Sequence, residues 1–388
     1  MYTMNKFIKN QDGDSFDIDG DFSLFQKILK DMDVNGGALT PAENWGVEIG
    51  GHNGGDYFHG KDITRFNNLS ELYEARYATM KKMMDPWIGS TGMQSVSTQV
   101  LQDYLPFLKA IDYLDIVGHY IHKDGSLKNS AENMLITDLG TIIDLNLIHL
   151  FTKSLEQIRI LEIGGGYGRL AEAALRMFGP GQVNIVLVDS VPASLLYSYR
   201  YLSRHFPDLK IGFYYEDPDF SLDEYDCYIM PSWHFERLNK HTYNVCCNIQ
   251  SMQEMNQFHV DYYLNLFDKV ITPNGMIYLS NEKDYVFSGL WNYPSRWKNV
   301  LKLRTPRSWT RNSPTEIFKL SDTVSEASEI AELQYHCQLF DFDKNKELTN
   351  TIANLQSRLK EMELLPESDS NASSNPTPEI HTPPPHRD

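Results

Sequence analysis

Arg159-Ile-Leu-Glu-Ile-Gly-Gly-Gly-Tyr-Gly168, read together with Val183-Asn-Ile-Val-Leu-Val-Asp189, decides the fold of this chain. An apolar run carrying Glu162 breaks into alternating glycines and enters a helical pattern. A second apolar run then ends in Asp189. β-Branched and aliphatic runs read as strands, and glycines punctuate them. Strand, glycine loop, helix and second strand form the unit that binds nucleosides in open α/β sheets. The dinucleotide fingerprint needs its third glycine five residues after the first. From Gly164 that position is Arg169, so the fingerprint fails there. From Gly166 it survives only with Ala171 in third place, deep in the helix.

The pattern Glu162-x-Gly164-x-Gly166-x-Gly168 resembles motif I of the class I S-adenosylmethionine (SAM) methyltransferases. That resemblance implies an α/β, Rossmann-like sheet with SAM as cofactor. Gly164, Gly165, Gly166 and Gly168 would let the backbone pass close to the methionine part of the ligand, where a Cβ would fill the space. Glu162 would receive its ammonium, and Asp189, followed by Ser190, would accept the ribose hydroxyls. The nucleoside carries no phosphate, so nothing demands a phosphate cradle at a helix N-terminus. The bland alternative is an ordinary tight turn between strand and helix.

The rest of the core reads as alternating strands and helices over about 151–320. Strands are expected at 158–163, 183–189, 210–215, 226–230, 243–248 and 276–280, and helices near 168–178, 192–205 and 251–269. Alternation implies a mostly parallel sheet covered on both faces. Which of 210–215 and 226–230 takes the third place is open. Residues 1–150 read as a mainly helical cap, with glycine-rich turns at Asn35-Gly-Gly37, Gly50-Gly51 and Asn53-Gly-Gly55. Helices follow near Leu69–Met84, Thr98–Tyr113 and Asp138–Leu150. A cap serves methyl transfer by excluding water and holding the acceptor in line. Residues 321–365 form an extension in which Leu348, Ile352, Leu355, Leu359 and Met362 make a short heptad seam, either a homo-oligomer helix or packing on its own domain. Residues 366–388, rich in proline and serine, have almost nothing apolar to bury and read as a disordered tail.

Composition excludes some classes. The 388-residue chain has a net charge of -17 and is 41% hydrophobic, which argues against nucleic acid as the main partner. No run approaches a membrane span and no signal peptide is visible. Cys227, Cys246, Cys247 and Cys337 lack zinc spacing and read as reduced residues of a cytoplasmic protein.

The acceptor is expected beside the loop after the strand at 243–248. The proline-containing motif of enzymes that methylate exocyclic amines is missing there: the chain has Asn248-Ile-Gln-Ser251. The runs Asn248-x-x-Ser251-Met-Gln-Glu254-Met255, Tyr262-Tyr263-Leu264, Ile277-Tyr-Leu-Ser-Asn281, Val188-Asp189-Ser190 and Tyr201-Leu-Ser-Arg-His-Phe-Pro207 resemble the sugar O-methyltransferase family of bacterial polysaccharide gene clusters. The likeness spans roughly 155–320 and implies methylation of a sugar hydroxyl in a nucleotide sugar, glycan or polysaccharide. A small non-sugar acceptor, and a non-catalytic SAM-binding assembly subunit, stand as alternatives.

An alcohol needs a base to take its proton as the new C–O bond forms. Glu254 and His234 are the candidates. Ser251-x-x-Glu254 also reads as a capping box, and His234 follows Met230-Pro-Ser232-Trp233 on the expected adenine side. Ser232, Trp233, Asn248 and Gln250 are expected near the cofactor, and Tyr167 either frames it or fills core. His259 reads as packing; His52, His59 and His119 could reach in from the cap. A divalent metal on Asp189, Asp226 and Glu254 is conceivable, but no spacing demands it. From Arg296 to Arg311 the chain holds six basic residues and no acid. Arg304, Arg307 and Trp297 (with Trp309) could grip a phosphate-bearing or acidic sugar, or the stretch could simply pair with surrounding acids.

Overall fold

The structure is a computed structural model that describes residues 22–39, 136–219, 221–240, 242–281, 291–308 and 311–320. The chain divides into two compact units, Met1–Asn345 and Lys346–Asp388, and every described residue belongs to the first. The cap helices expected at 69–84 and 98–113, His52, His59, His119, Trp309, Cys337, the heptad seam and the tail lie outside the described residues.

In chain order the elements are α1 (Phe22–Asn35), α2 (Ile136–Thr152), β1 (Ile158–Ile163), α3 (Arg169–Phe178), β2 (Val183–Asp189), α4 (Pro192–His205), β3 (Ile211–Phe213), β4 (Cys227–Pro231), β5 (Tyr243–Ile249), α5 (Gln257–Val270), β6 (Ile271–Ser280), β7 (Trp297–Ser308) and β8 (Arg311–Leu320). Tight helical turns occupy Gly37–Leu39, Ser232–Lys240 and Met252–Glu254.

All eight strands join one sheet in the order β3-β4-β2-β1-β5-β6-β8-β7. The strands from β3 to β6 pair in parallel. β8 runs against both of its neighbours, so β7 points the same way as the parallel set. The open third place falls to β4, because Ile185 through Asp189 pair with Cys227 through Pro231. β3 is a short edge strand outside it. The order reverses at β1, whose neighbours are β2 on one side and β5 on the other. A crevice at such a reversal, outside the carboxyl ends of the strands, is where open α/β sheets bind ligands.

The parallel strands are mostly apolar and almost wholly buried because both faces are covered. The helices over them obey the usual spacing: Phe25, Ile28, Leu29 and Met32 are buried along one side of α1. Helix α2 is different. Its buried residues include Thr141, Asp144 and Asn146 alongside Ile143, Leu145 and Leu147. Asp144 is fully buried, accepts the hydroxyl proton of Tyr278 at 2.5 Å, and lies 3.9 Å from Arg169. Arg169 also donates to Thr141. One carboxylate thus ties α2 to β6 and to the start of α3.

Two corrections concern secondary structure. Residues 297–308 and 311–320 form a β-hairpin, where only a basic stretch was expected. The stretch alternates, with Lys298, Lys302 and Arg304 exposed and Val300, Leu301, Leu303 and Thr305 buried. A register shift between Asn299 and Leu301 breaks the period and hides it. The single helix expected over 251–269 is instead a tight turn at Met252–Glu254 followed by α5.

Replacing Asp144 leaves the buried Tyr278 hydroxyl and the Arg169 guanidinium without their carboxylate. We expect Asp144→Ala to lower unfolding stability by about 2–3 kcal/mol, read as a fall in the urea midpoint with an unchanged slope.

Candidate functional site

Four strand ends converge at the reversal: Glu162–Gly164 after β1, Asp189 on β2, Pro231–Trp233 on β4 and Asn248–Ser251 on β5. The glycine loop folds back on β2. The Gly164 N–H donates to the Val188 carbonyl at 2.7 Å, and the Gly166 N–H to Asp189 Oδ2 at 3.0 Å. Asp189 Oδ1 takes the Val191 N–H at 2.8 Å. With the Ser190 N–H as a third backbone donor, the carboxylate is held by its own chain and still has lone-pair capacity for a further donor.

Gly164 and Gly168 have φ of 75° and 88°, a region that favours glycine. At Gly164 a Cβ would sit 2.0 Å from Ser251 Oγ, so the glycine is required first by the chain's own packing of loop on β5. A Cβ on Gly168 would crowd Leu202 of α4 at 3.0 Å.

Glu162 is 4% exposed and its Oε2 has no hydrogen-bond partner among the described residues. Burial pushes its carboxyl up to about 8; Arg169 opposes this, while Asp144 and Asp189 add to it. Burial likewise raises Asp189 to about 6 against the pull of its backbone donors. Two carboxyls with raised pKa values beside a glycine loop form a site that a cationic group would relieve.

The structure reassigns several expected site residues. His234 turns Nε2 to Asp31 Oδ2 at 2.8 Å and stacks on Tyr214 at 4.4 Å. Trp233 gives its indole N–H to the same Asp31 oxygen at 2.7 Å, and Ser232 Oγ donates to the Leu39 carbonyl at 2.9 Å. All three hold the N-terminal segment. His234 Nε2 is thereby engaged by Asp31. Asn248 is fully buried and satisfied: it donates to the Ile163 carbonyl at 2.7 Å and to Ser251 Oγ at 2.6 Å, and accepts the Met252 N–H at 3.0 Å. It joins β5 to the glycine loop.

Gln250 has φ of 59°, the left-handed region, and its side chain donates to the Ser280 carbonyl at 3.1 Å. A non-glycine residue held there costs on the order of 1 kcal/mol or more and marks a sharply turned strand end. The capping-box alternative for Glu254 does not hold. Ser251 makes no side-chain cap, and Asn256 caps α5 by accepting the His259 N–H at 3.1 Å. Glu254 remains partly exposed on the turn after β5. His259 is buried against Asn256, as a packing residue. Tyr167 packs edge-on against Tyr201, at 5.6 Å, inside an aromatic cluster.

The basic stretch is split between the two ends of the sheet. Arg296 and the buried Trp297 both engage Asp268 at 2.6 Å, at the amino end of the parallel strands, far from the crevice. Trp297 is a packing residue on Phe318 and Tyr293. Arg304 pairs across the hairpin with Pro314, one step beyond Leu303, which is level with Ser280 at the carboxyl end of β6. It is exposed. Arg307 lies further along the same strand, its side chain outside the described set. Asp226, whose carboxylate accepts the Lys210 N–H at 3.0 Å, precedes β4 at the amino end and so does not meet Asp189 or Glu254. Among the described residues no group of three or more His, Cys, Asp or Glu is placed to hold a metal ion.

The sheet, parallel from β3 to β6 with one reversed strand inserted before the last and helices between the strands, is a Rossmann-like α/β fold. No family model and no curated protein matches the sequence. Solved structures similar to it include a TehB-like SAM-dependent methyltransferase from Corynebacterium glutamicum (TM-score 0.30, 10% identity, covering 46% of this chain and 87% of that one). Another is magnesium protoporphyrin IX methyltransferase from Synechocystis with bound SAH (TM-score 0.33, 10% identity, 55% of this chain and 99% of that one). A third is the M1A22 tRNA methyltransferase TrmK of B. subtilis (TM-score 0.33, 9% identity, 57% of this chain and 88% of that one). No helix among the described residues is long and apolar enough to cross a membrane.

The raised carboxyl of Glu162 has a measurable sign. In the unfolded chain it ionises near 4.5, in the folded one near about 8. Between those values the folded state binds more protons than the unfolded, so stability falls as pH rises through that window. We expect Glu162→Gln to flatten this fall, seen by comparing urea midpoints of the two proteins at pH 5 and pH 8.

Proposed function

We propose that this chain is a SAM-dependent O-methyltransferase whose acceptor is a sugar hydroxyl, in a nucleotide sugar, a glycan or a polysaccharide. Residues 151–320 would form the nucleoside-binding domain and residues 1–150 the cap over the acceptor. The observation that carries the cofactor assignment is the buried Glu162 carboxyl, without a hydrogen-bond partner at Oε2 among the described residues, one strand away from Asp189. An ammonium group supplies the missing countercharge, and ribose hydroxyls supply donors for the free lone pairs of Asp189. A nicotinamide dinucleotide offers no ammonium to that position.

When bound, SAM supplies a methyl group activated by its sulfonium. The chain's own work is orientation and proton handling. Glu162 and Asp189 fix the two ends of the nucleoside. The turned strand end at Gln250 and the Met252–Glu254 turn shape the acceptor side. Glu254 takes the proton of the acceptor hydroxyl, so that the oxygen is an alkoxide-like nucleophile as its bond to carbon forms. The sugar class rests on the resemblance carried by Ser251-Met-Gln-Glu-Met255 and its neighbours. The carboxyl-end placement of Arg304 agrees with an acceptor bearing phosphate or carboxylate.

Labelled SAM, offered with a panel of nucleotide sugars, glycan extracts, phenols, small carboxylic acids and transfer RNA, tests the whole reading. Label is expected in the sugar fraction and would overturn the acceptor class if it appeared in RNA or phenols. Asp189→Ala is expected to weaken binding of S-adenosylhomocysteine by about tenfold to a hundredfold in calorimetry, as lost charge-assisted hydrogen bonds do. Binding of NAD instead, with no response to SAM or its demethylated product, would end the cofactor assignment. Arg304→Ala is expected to raise the acceptor KM about fivefold and leave SAM affinity unchanged. Equal loss for both ligands would remove Arg304 from the acceptor site.

A further inference from the structure

Asp31 lies on α1, more than a hundred residues before the glycine loop in sequence, yet four side-chain donors converge on its carboxylate. Asn35 reaches Oδ1 at 2.7 Å. Trp233 reaches Oδ2 at 2.7 Å, Tyr215 at 2.8 Å and His234 at 2.8 Å. Lys27, one turn earlier on α1, donates to the Tyr215 carbonyl. The apolar face of α1 fixes which side of the helix is buried. It does not fix where along its axis the helix stops, because aliphatic contacts can slide. A carboxylate with directed donors does fix it. Burial works to raise the Asp31 pKa, but the donors Trp233, Asn35, Tyr215 and His234 outweigh it and hold the carboxyl below its ordinary value.

The place where α1 is locked matters. Pro231 at the end of β4 pairs directly with Asp189 on β2. Ser232, Trp233 and His234 follow Pro231 in the chain, so the residues that grip the N-terminal segment begin one position beyond the acid proposed to hold the ribose. Ser232 Oγ donates to the carbonyl of Leu39, at the end of the turn that follows α1. The hydroxyl of Tyr263 also meets Ser232, and Tyr263 senses the charge of Asp189. The Leu39 turn is thus fastened to the strand end where the base of a nucleoside would lie.

We infer that Asp31 is a positioning residue of the nucleoside site: by locking α1 to Tyr215, Trp233 and His234 it holds the Gly37–Leu39 turn beside Ser232 as the wall against the adenine ring. The inference rests on the SAM reading of Glu162 and Asp189. Asp31 does not touch the ligand. It acts through the segment it holds, so its loss reaches the nucleoside and spares the acceptor.

The test uses the full chain and S-adenosylhomocysteine as probe. Asp31→Ala is expected to raise its Kd about tenfold, the scale set by losing hydrogen bonds to a charged group. The KM for SAM is expected to rise with it, while kcat at saturating SAM and the acceptor KM hold. Asp31→Asn keeps an acceptor oxygen for Trp233 and Tyr215 and is expected to restore most of the affinity. Ser232→Ala removes the tie to Leu39 together with the contact to the Tyr263 hydroxyl, leaves the Asp31 cluster intact, and is expected to raise Kd about threefold. A merely structural staple would lower the melting temperature of Asp31→Ala and leave Kd at the wild-type value; that result overturns the inference. Should Asp31→Ala not fold, an unchanged Kd in Ser232→Ala overturns it equally. Failure of the wild-type protein to bind the probe at all would instead strike the cofactor reading, so the two failures are separable.

Discussion

The candidate site is organised by a buried carboxyl whose Oε2 has no hydrogen-bond partner among the described residues. Glu162 sits at the end of β1, almost wholly enclosed, with Asp144 and Asp189 adding negative potential and Arg169 only partly offsetting it. Removing a charge from water is costly unless it is paired, and an unpaired carboxyl answers by holding its proton. A protein could relieve this by turning a lysine or arginine inward. Here Arg169 is spent on Thr141 and faces Asp144. Among the described residues Oε2 of Glu162 stays without a partner, while the glycine loop is fixed to β2 by its bonds to Val188 and Asp189.

Elsewhere the chain settles its acids differently, through phenols. Tyr278 donates to Asp144, Tyr201 to Glu172 at 2.6 Å, Tyr215 to Asp31, Tyr293 to Glu316 at 2.5 Å and Tyr199 to Glu216 at 2.7 Å. A phenol brings a large apolar ring and a single donor, so it fills core and satisfies an oxygen together. The choice fits a chain with a net charge of -17, where acids outnumber cations and burial of arginine would cost more. Burial and the neighbouring carboxylates hold Tyr201, Tyr215 and Tyr293 well above the ordinary phenol range, so these donors keep their protons. Against that background the solitary Oε2 of Glu162 stands out as an acid that received no phenol.

How far the sequence could be read follows from how local each signal is. Glu162, the glycines and Asp189 lie in continuous strand–loop–strand units, and their geometry is set by residues beside them. The strands β1, β2, β4 and β5 announce themselves because both faces are buried and the runs are predominantly apolar. The third place in the sheet was not legible, since 211–213 and 227–231 are both short apolar runs and only pairing across space separates them. The hairpin β7–β8 was hidden by its bulge and by lysines on its outer face. Asp31 left no signal at all: an acid on an amphipathic helix reads as solvated, and its four donors come mostly from residues 215–234. His234 and Trp233 follow β4, and their partner Asp31 comes from a part of the chain that local pattern cannot connect to them.

The hairpin also explains why a basic stretch in an acidic chain need not act as a unit. A strand of twelve residues, β7, spans the sheet from one end to the other, so its two halves meet different environments. At the amino end Arg296 and Trp297 close on Asp268 and the end of α5, which is stabilisation of packing. Midway, Lys302 faces Glu316 at 3.5 Å across the strands. Only beyond Leu303 does the strand pass the carboxyl edge of its neighbours. There a chain of buried hydroxyls, Ser280 to Thr315 at 2.8 Å and Thr315 to Thr305 at 2.7 Å, anchors its base. An arginine above such an anchor is held by a stiff backbone without being neutralised by it. Arg304 is thus exposed on a fixed backbone, whereas Arg296 is already paired with Asp268.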